Sequence, residues 1–176
     1  MRHPSLIALC AVGTILLSAC ARDEGAETAK ALKELNVIDE SNLNNLMLSS
    51  GDPNEAVAYF ARTSAQNPER VELKRGLAMS LVRAQKPDEA VAVWREVAQS
   101  PEATNDDRVA LADALIRSNK WKEAEAELNK IPPTFETYER YRLEAMVADS
   151  NQKWTKADSF YETAFGLTTK PSSVLN

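Results

Sequence analysis

The chain is poor in the side chains that most often bind metals or form nucleophile–base pairs. Its 176 residues include one histidine, His3, and two cysteines, Cys10 and Cys20. All three fall within the first twenty positions. Glycine is scarce as well, with five in all, and neither a Walker nor a dinucleotide pattern occurs, which excludes a Gly-rich phosphate loop. Positive charge is not in excess. Lys and Arg number 21 against 26 Asp and Glu, for a net charge of -5, whereas a duplex-binding protein carries a basic patch or a high pI. Nucleic acid is therefore not an expected partner. No apolar run reaches the roughly 20 residues that a membrane-spanning helix needs. What is present is 44% apolar and 27% charged, an ordinary globular composition with about one domain's worth of chain.

An apolar run without charge, Leu6 to Leu17, follows Arg2 and His3. It has the length of a signal-peptide core and lacks the polar face of a buried amphipathic helix. It ends in Leu17-Ser18-Ala19-Cys20, which resembles the lipobox of bacterial lipoproteins. The resemblance implies diacylglycerol on the Cys20 thiol, cleavage before Cys20 and acylation of the new amine. Several acyl chains anchor durably where one is marginal. Ala21-Arg22 follows the cysteine instead of aspartate. In the Gram-negative pattern this implies the periplasmic face of the outer membrane.

Removal of the signal, residues 1–19, leaves 157 residues with a net charge of -6. The mature chain then has no histidine and no free thiol. That excludes Ser-His-Asp and Cys-His catalysis, zinc held by His or Cys, and disulfides. Carboxylate or lysine chemistry survives in principle. No catalytic residue, metal, cofactor or small-molecule substrate is expected. Residues 20–36 are charged and rich in Ala, Glu and Lys, a composition expected of a partly helical tether.

From position 37 a period appears. Ala56, Ala90 and Ala124 lie 34 residues apart, each after a glutamate. A bulky residue follows each by four positions: Phe60, Trp94 and Leu128. A leucine precedes each by thirteen: Leu43, Leu77 and Leu111. A fourth unit is offset by one, with Ala157 and Tyr161 in the same two columns. The period and the paired large and small columns resemble tetratricopeptide repeats. The expected architecture is all-α, a right-handed superhelix of antiparallel helix pairs. Pro53 and Pro87 open second helices, while Pro68 and Pro101 close them. About four repeats are expected within 37–170, at 37–68, 71–101, 105–131 and 135–168. Residues 171–176 open as another repeat would, with no polar capping helix after them. The sequence is therefore expected to be a fragment, or to have its end covered by a partner.

A repeat solenoid offers a concave groove lined by the first helix of each unit. In tetratricopeptide register the candidate lining is Asn42, Asn45 and Leu48; Arg75, Met79 and Arg83; Val109, Asp113, Ile116 and Arg117; then Arg142, Met146 and Asp149. Arg, Met and Asn among aliphatic residues suit an extended peptide or a partner helix. The lysine and asparagine pattern of the carboxylate-clamp repeats is not reproduced, since Met79 stands where that pattern has asparagine. Trp94, Trp121 and Trp154 fall in packing or turn columns, which argues against a sugar platform. Glu136, Glu139 and Glu144 alternate with Arg140 and Arg142, as on a solvated charged helix face.

The segment Ile131 to Ala145, IPPTFETYERYRLEA, together with the lipobox and the repeats, resembles the TadD-like tetratricopeptide lipoproteins of tight-adherence (Tad/Flp) pilus assembly. The resemblance spans nearly the whole chain and implies a non-enzymatic outer-membrane lipoprotein. Its partners would be the pilus secretin or other assembly components, as for a pilotin. Lipidated repeat proteins of outer-membrane protein insertion and of peptidoglycan-synthase control share both motifs and are the alternative.

Overall fold

A computed structural model of the chain describes residues 30, 40–49 and 51–169. The signal peptide, the lipobox Leu17-Ser18-Ala19, Cys20 and the segment 171–176 lie outside the described residues. The chain divides into two units, Met1–Asn45 and Leu46–Asn176. In the first, residues 30 and 40–45 are helical, and Asn42, Leu43 and Asn45 are exposed.

The second unit is all-helical among its described residues. It begins with the end of a helix over 40–49 (α1). Then come α2 (Pro53–Gln66), α3 (Val71–Arg83), α4 (Pro87–Gln99), α5 (Asn105–Arg117), α6 (Trp121–Leu128), α7 (Tyr138–Ser150) and α8 (Trp154–Thr169). From α2 onward each helix packs on the next in sequence, and α5 also meets α7. This is a helix–turn–helix solenoid in which the first helix of one unit touches the first helix of another.

Local chemistry sets the helix ends. The Asp52 carboxylate accepts from the amides of Asn54 and Glu55 at 2.9 and 3.2 Å, and Pro53 takes the first turn of α2, where its missing N–H is not needed. α4 starts on Pro87 with Asp88 and Glu89 in its first turn, favourable to the helix dipole. α5 opens on a capping box between Thr104 and Asp107.

Helices α3, α5 and α7 end alike. Gln85, Asn119 and Gln152 adopt left-handed backbone, with φ of 59°, 58° and 58°. The next amide reaches back to a carbonyl five residues earlier: Lys86 to Leu81 at 2.9 Å, Lys120 to Leu115 at 2.8 Å, Lys153 to Ala148 at 2.9 Å. Glycine normally fills such positions, yet none of the three is glycine. Gly51, in the same repeat column as Gln85, has no positive φ.

The core follows the repeat columns. Ala56, Ala90, Ala124 and Ala157 are buried where helices cross closely. Phe60, Trp94 and Leu128 are buried beside them, and Leu111 joins the main core with Leu77 partly buried against it. Full burial of a side chain the size of Phe60 contributes about 1.5–3 kcal/mol. Two residues placed in packing columns are exposed instead: Leu43 at 42% and Tyr161 at 39%. Leu43 lies in the N-terminal unit, and Tyr161 lies on α8, beyond which no further helix is described.

Candidate functional site

The first-helix faces of α3, α5 and α7 carry most of the candidate groove, but several candidates have structural work. Arg75 reaches from α3 to α5. Its Nε and Nη2 donate to the two oxygens of Asp107 at 2.8 and 2.9 Å, and Nη2 also donates to the Glu102 carbonyl at 2.8 Å. Asp107 is 3% exposed. It also accepts from the Thr104 amide and hydroxyl at 2.8 and 3.0 Å. Burial opposes ionisation of Asp107, but these hydrogen bonds outweigh it and hold the carboxyl below its usual value. The Asp107 hydrogen bond likewise raises Arg75.

Arg83 closes the end of α1. Its Nη1 donates to the carbonyls of Met47 and Leu48 at 3.0 and 2.7 Å, and its Nη2 to that of Gly51 at 2.9 Å. The Met47 and Leu48 carbonyls are ones that a helix terminus leaves without intrahelical partners, and Gly51 lies in the turn that follows. Arg117 and Arg142 both turn to Asp113, with Arg117 Nε at 2.6 Å and Arg142 Nη2 at 3.4 Å. Asp149 accepts from the Tyr161 hydroxyl at 3.2 Å, and burial, then this contact, raises the Tyr161 phenol. Ile116 is 6% exposed and sits in the core with Val109. The sequence register places both on the groove; Val109 does line the cleft between α5 and α7, whereas the Ile116 side of α5 packs inward. Asn42 and Asn45 belong to the N-terminal unit.

The segment resembling pilus lipoproteins is tied by Arg140. This side chain is buried, and Nη1 donates to the carbonyls of Pro132 and Phe135 at 2.7 and 3.0 Å while Nε meets Glu144 at 2.9 Å. Arg140 and Glu144 are therefore not on a solvated charged face. They latch the Pro132-Pro133 loop onto α7. The sequence shows the charges, but not that the loop's carbonyls draw the guanidinium inward.

Two adjoining clefts occupy the first-helix face. One, of about 620 Å³, is lined chiefly by Leu48, Met79, Val82, Trp94 and Ala110. Met79 is 39% exposed. The indole Nε1–H of Trp94 is buried without a hydrogen-bond partner among the described residues. The other cleft, of about 720 Å³, lies between α5 and α7, with Asp106, Glu139 and Arg142 on its walls. Ala110 and Asp113 line both. Neither cleft contains a nucleophile–base pair. What they offer is an apolar surface beside carboxylates, the chemistry of a partner-binding face.

The tetratricopeptide repeat family model matches residues 47–101 and 81–147. Among solved structures, MamA MSR-1 C2 is 21% identical with a TM-score of 0.60, over 84% of this chain and 94% of that one. A MamA point mutant is also 21% identical, with a TM-score of 0.59 over 71% and 73%. A search of curated proteins returned no match.

Proposed function

Because the chain belongs to the tetratricopeptide repeat family, we propose that it is a lipid-anchored scaffold for Tad/Flp pilus biogenesis, acting by protein–protein interaction and without catalysis. The repeats make it an interaction scaffold. The observation that carries the finer reading is the co-occurrence of the Leu17-Ser18-Ala19-Cys20 lipobox, the repeats and the Ile131–Ala145 segment in one chain. Cys20 is the anchor, the protein faces the periplasm from the outer membrane, and the first-helix face receives the secretin or another assembly component. Arg83 and the Arg75–Asp107 clamp hold that face together and do not receive the partner.

Deletion of the gene is expected to abolish surface pili and adherence while general envelope integrity stays normal. Normal piliation in the deletion strain would overturn the pilus assignment. Cys20→Ser is expected to leave an unprocessed, unlipidated precursor. Mature-sized, membrane-bound protein from that variant would refute the lipobox.

A further inference from the structure

We propose that the two adjoining clefts form one bipartite docking site for an extended segment that carries an apolar side chain next to a lysine or arginine. The inference rests on the reading of the first-helix face as the partner site and names the chemistry of what binds there.

Charge decides the sign of the partner. Arg75 is committed to Asp107, Arg83 to backbone carbonyls, and Arg117 and Arg142 to Asp113. Among the described residues, no arginine on this face is left to receive an anionic ligand. Two carboxylates on the α5/α7 cleft, Asp106 and Glu139, have no hydrogen bond or ion pair among the described residues. Each lies in the first turn of its helix. Both are exposed, so each presents a carboxylate to a cation entering the cleft.

The neighbouring cleft sets the second requirement. Met79, Val82 and Ala110 give it apolar walls, and a methionine on the rim adapts to side chains of differing shape. Trp94 lines the same cleft. Since Ala110 and Asp113 line both clefts, one short stretch of chain serves the two.

The test uses the full chain in lipid nanodiscs and four pools of short, fluorescein-labelled Gly/Ser peptides. The first pool carries Leu and Lys two to four residues apart. The others carry Leu with Glu, Ser with Lys, and Ser with Glu, and fluorescence anisotropy reads binding. The Leu/Lys pool is expected to bind about tenfold more tightly than the Leu/Glu pool, with the advantage fading as salt is added. In Asp106→Asn/Glu139→Gln the advantage is expected to collapse while the circular dichroism stays unchanged. In Met79→Glu, Leu/Lys binding is expected to fall to the level of Ser/Lys. Equal binding of Leu/Lys and Leu/Glu would overturn the inference and leave the face free to serve as an uncharged partner site. Binding by none of the pools would overturn it outright. The pilus reading stands or falls separately, on piliation of the deletion strain.

Discussion

The guanidinium of Arg75 on α3 donates to both oxygens of the Asp107 carboxylate on α5, with Nε–Oδ1 at 2.8 Å and Nη2–Oδ2 at 2.9 Å. The pair joins the first helices of successive repeats. Asp107 is also the third residue of the capping box that starts α5, so one carboxylate fixes a helix start and an inter-repeat contact together. Arg75→Met leaves that carboxylate buried without its cation. The expected loss is about 2–4 kcal/mol, read as a lowered melting temperature. Arg117→Met serves as the control. The Arg117 side chain is half exposed and its ion pair with Asp113 is made within one helix, so the expected change is roughly 0–1 kcal/mol.

Acid is expected to weaken the same contact. Asp107 has a folded-state value below its unfolded value of about 3.9. The stability it contributes is therefore present above that unfolded value and is lost as pH falls through the lower, folded one. Between pH 5 and pH 3, wild-type stability should fall more steeply than that of Asp107→Asn. Equal slopes in chemical denaturation at the two pH values would show that the carboxylate is not held in its charged form.

The left-handed turns hold strain that a glycine would relieve. A left-handed residue with a Cβ costs about 1–2 kcal/mol, and Gln85 and Gln152 have no short side chain to offset it as Asn119 has. Gln85→Gly and Gln152→Gly are each expected to raise stability by about 0.5–1 kcal/mol, after allowance for the greater freedom of glycine in the unfolded chain. Urea denaturation measures this. A loss of stability in both variants would contradict the turn geometry.

Glycine is needed at one helical position. A Cβ on Gly76 of α3 would lie 2.6 Å from Cδ1 and 2.8 Å from Cζ of the Phe60 ring, and that ring is 1% exposed and has little room to move. Gly76→Ala, ordinarily favourable in a helix, is expected to destabilise by about 1–3 kcal/mol through overpacking. A rise in melting temperature would show that α2 and α3 are less tightly apposed.

The architecture was legible where one property repeats at fixed spacing. Ala56, Ala90 and Ala124 announce close helix crossings because only a small side chain fits there. The bulky residue four positions on fills the space beside them. The site was less legible because its residues act in pairs that the sequence does not link. Arg75 reads as a free groove cation until Asp107, 32 positions away, is placed against it. Thr104-x-x-Asp107 was the available signal, a capping box visible in the sequence, but it gives only the local half of the role of Asp107. Ile116 shows the limit of helical periodicity. A face assignment one position off turns a core residue into a groove residue. The turns before Pro87 and Trp154 are legible in the sequence, but the left-handed backbone at Gln85 and Gln152 is not, because neither is the glycine that marks a left-handed cap.

The account rests on the first-helix face being where the partner binds, and site-specific photo-crosslinking in the native envelope tests this most directly. A photoreactive residue replaces Met79, on that face, or Ala92, exposed on α4, and the adducts are identified by mass spectrometry. The expected result is an adduct with the pilus secretin or another assembly component at position 79 and none at position 92. The same adduct at 92 with none at 79 would contradict it.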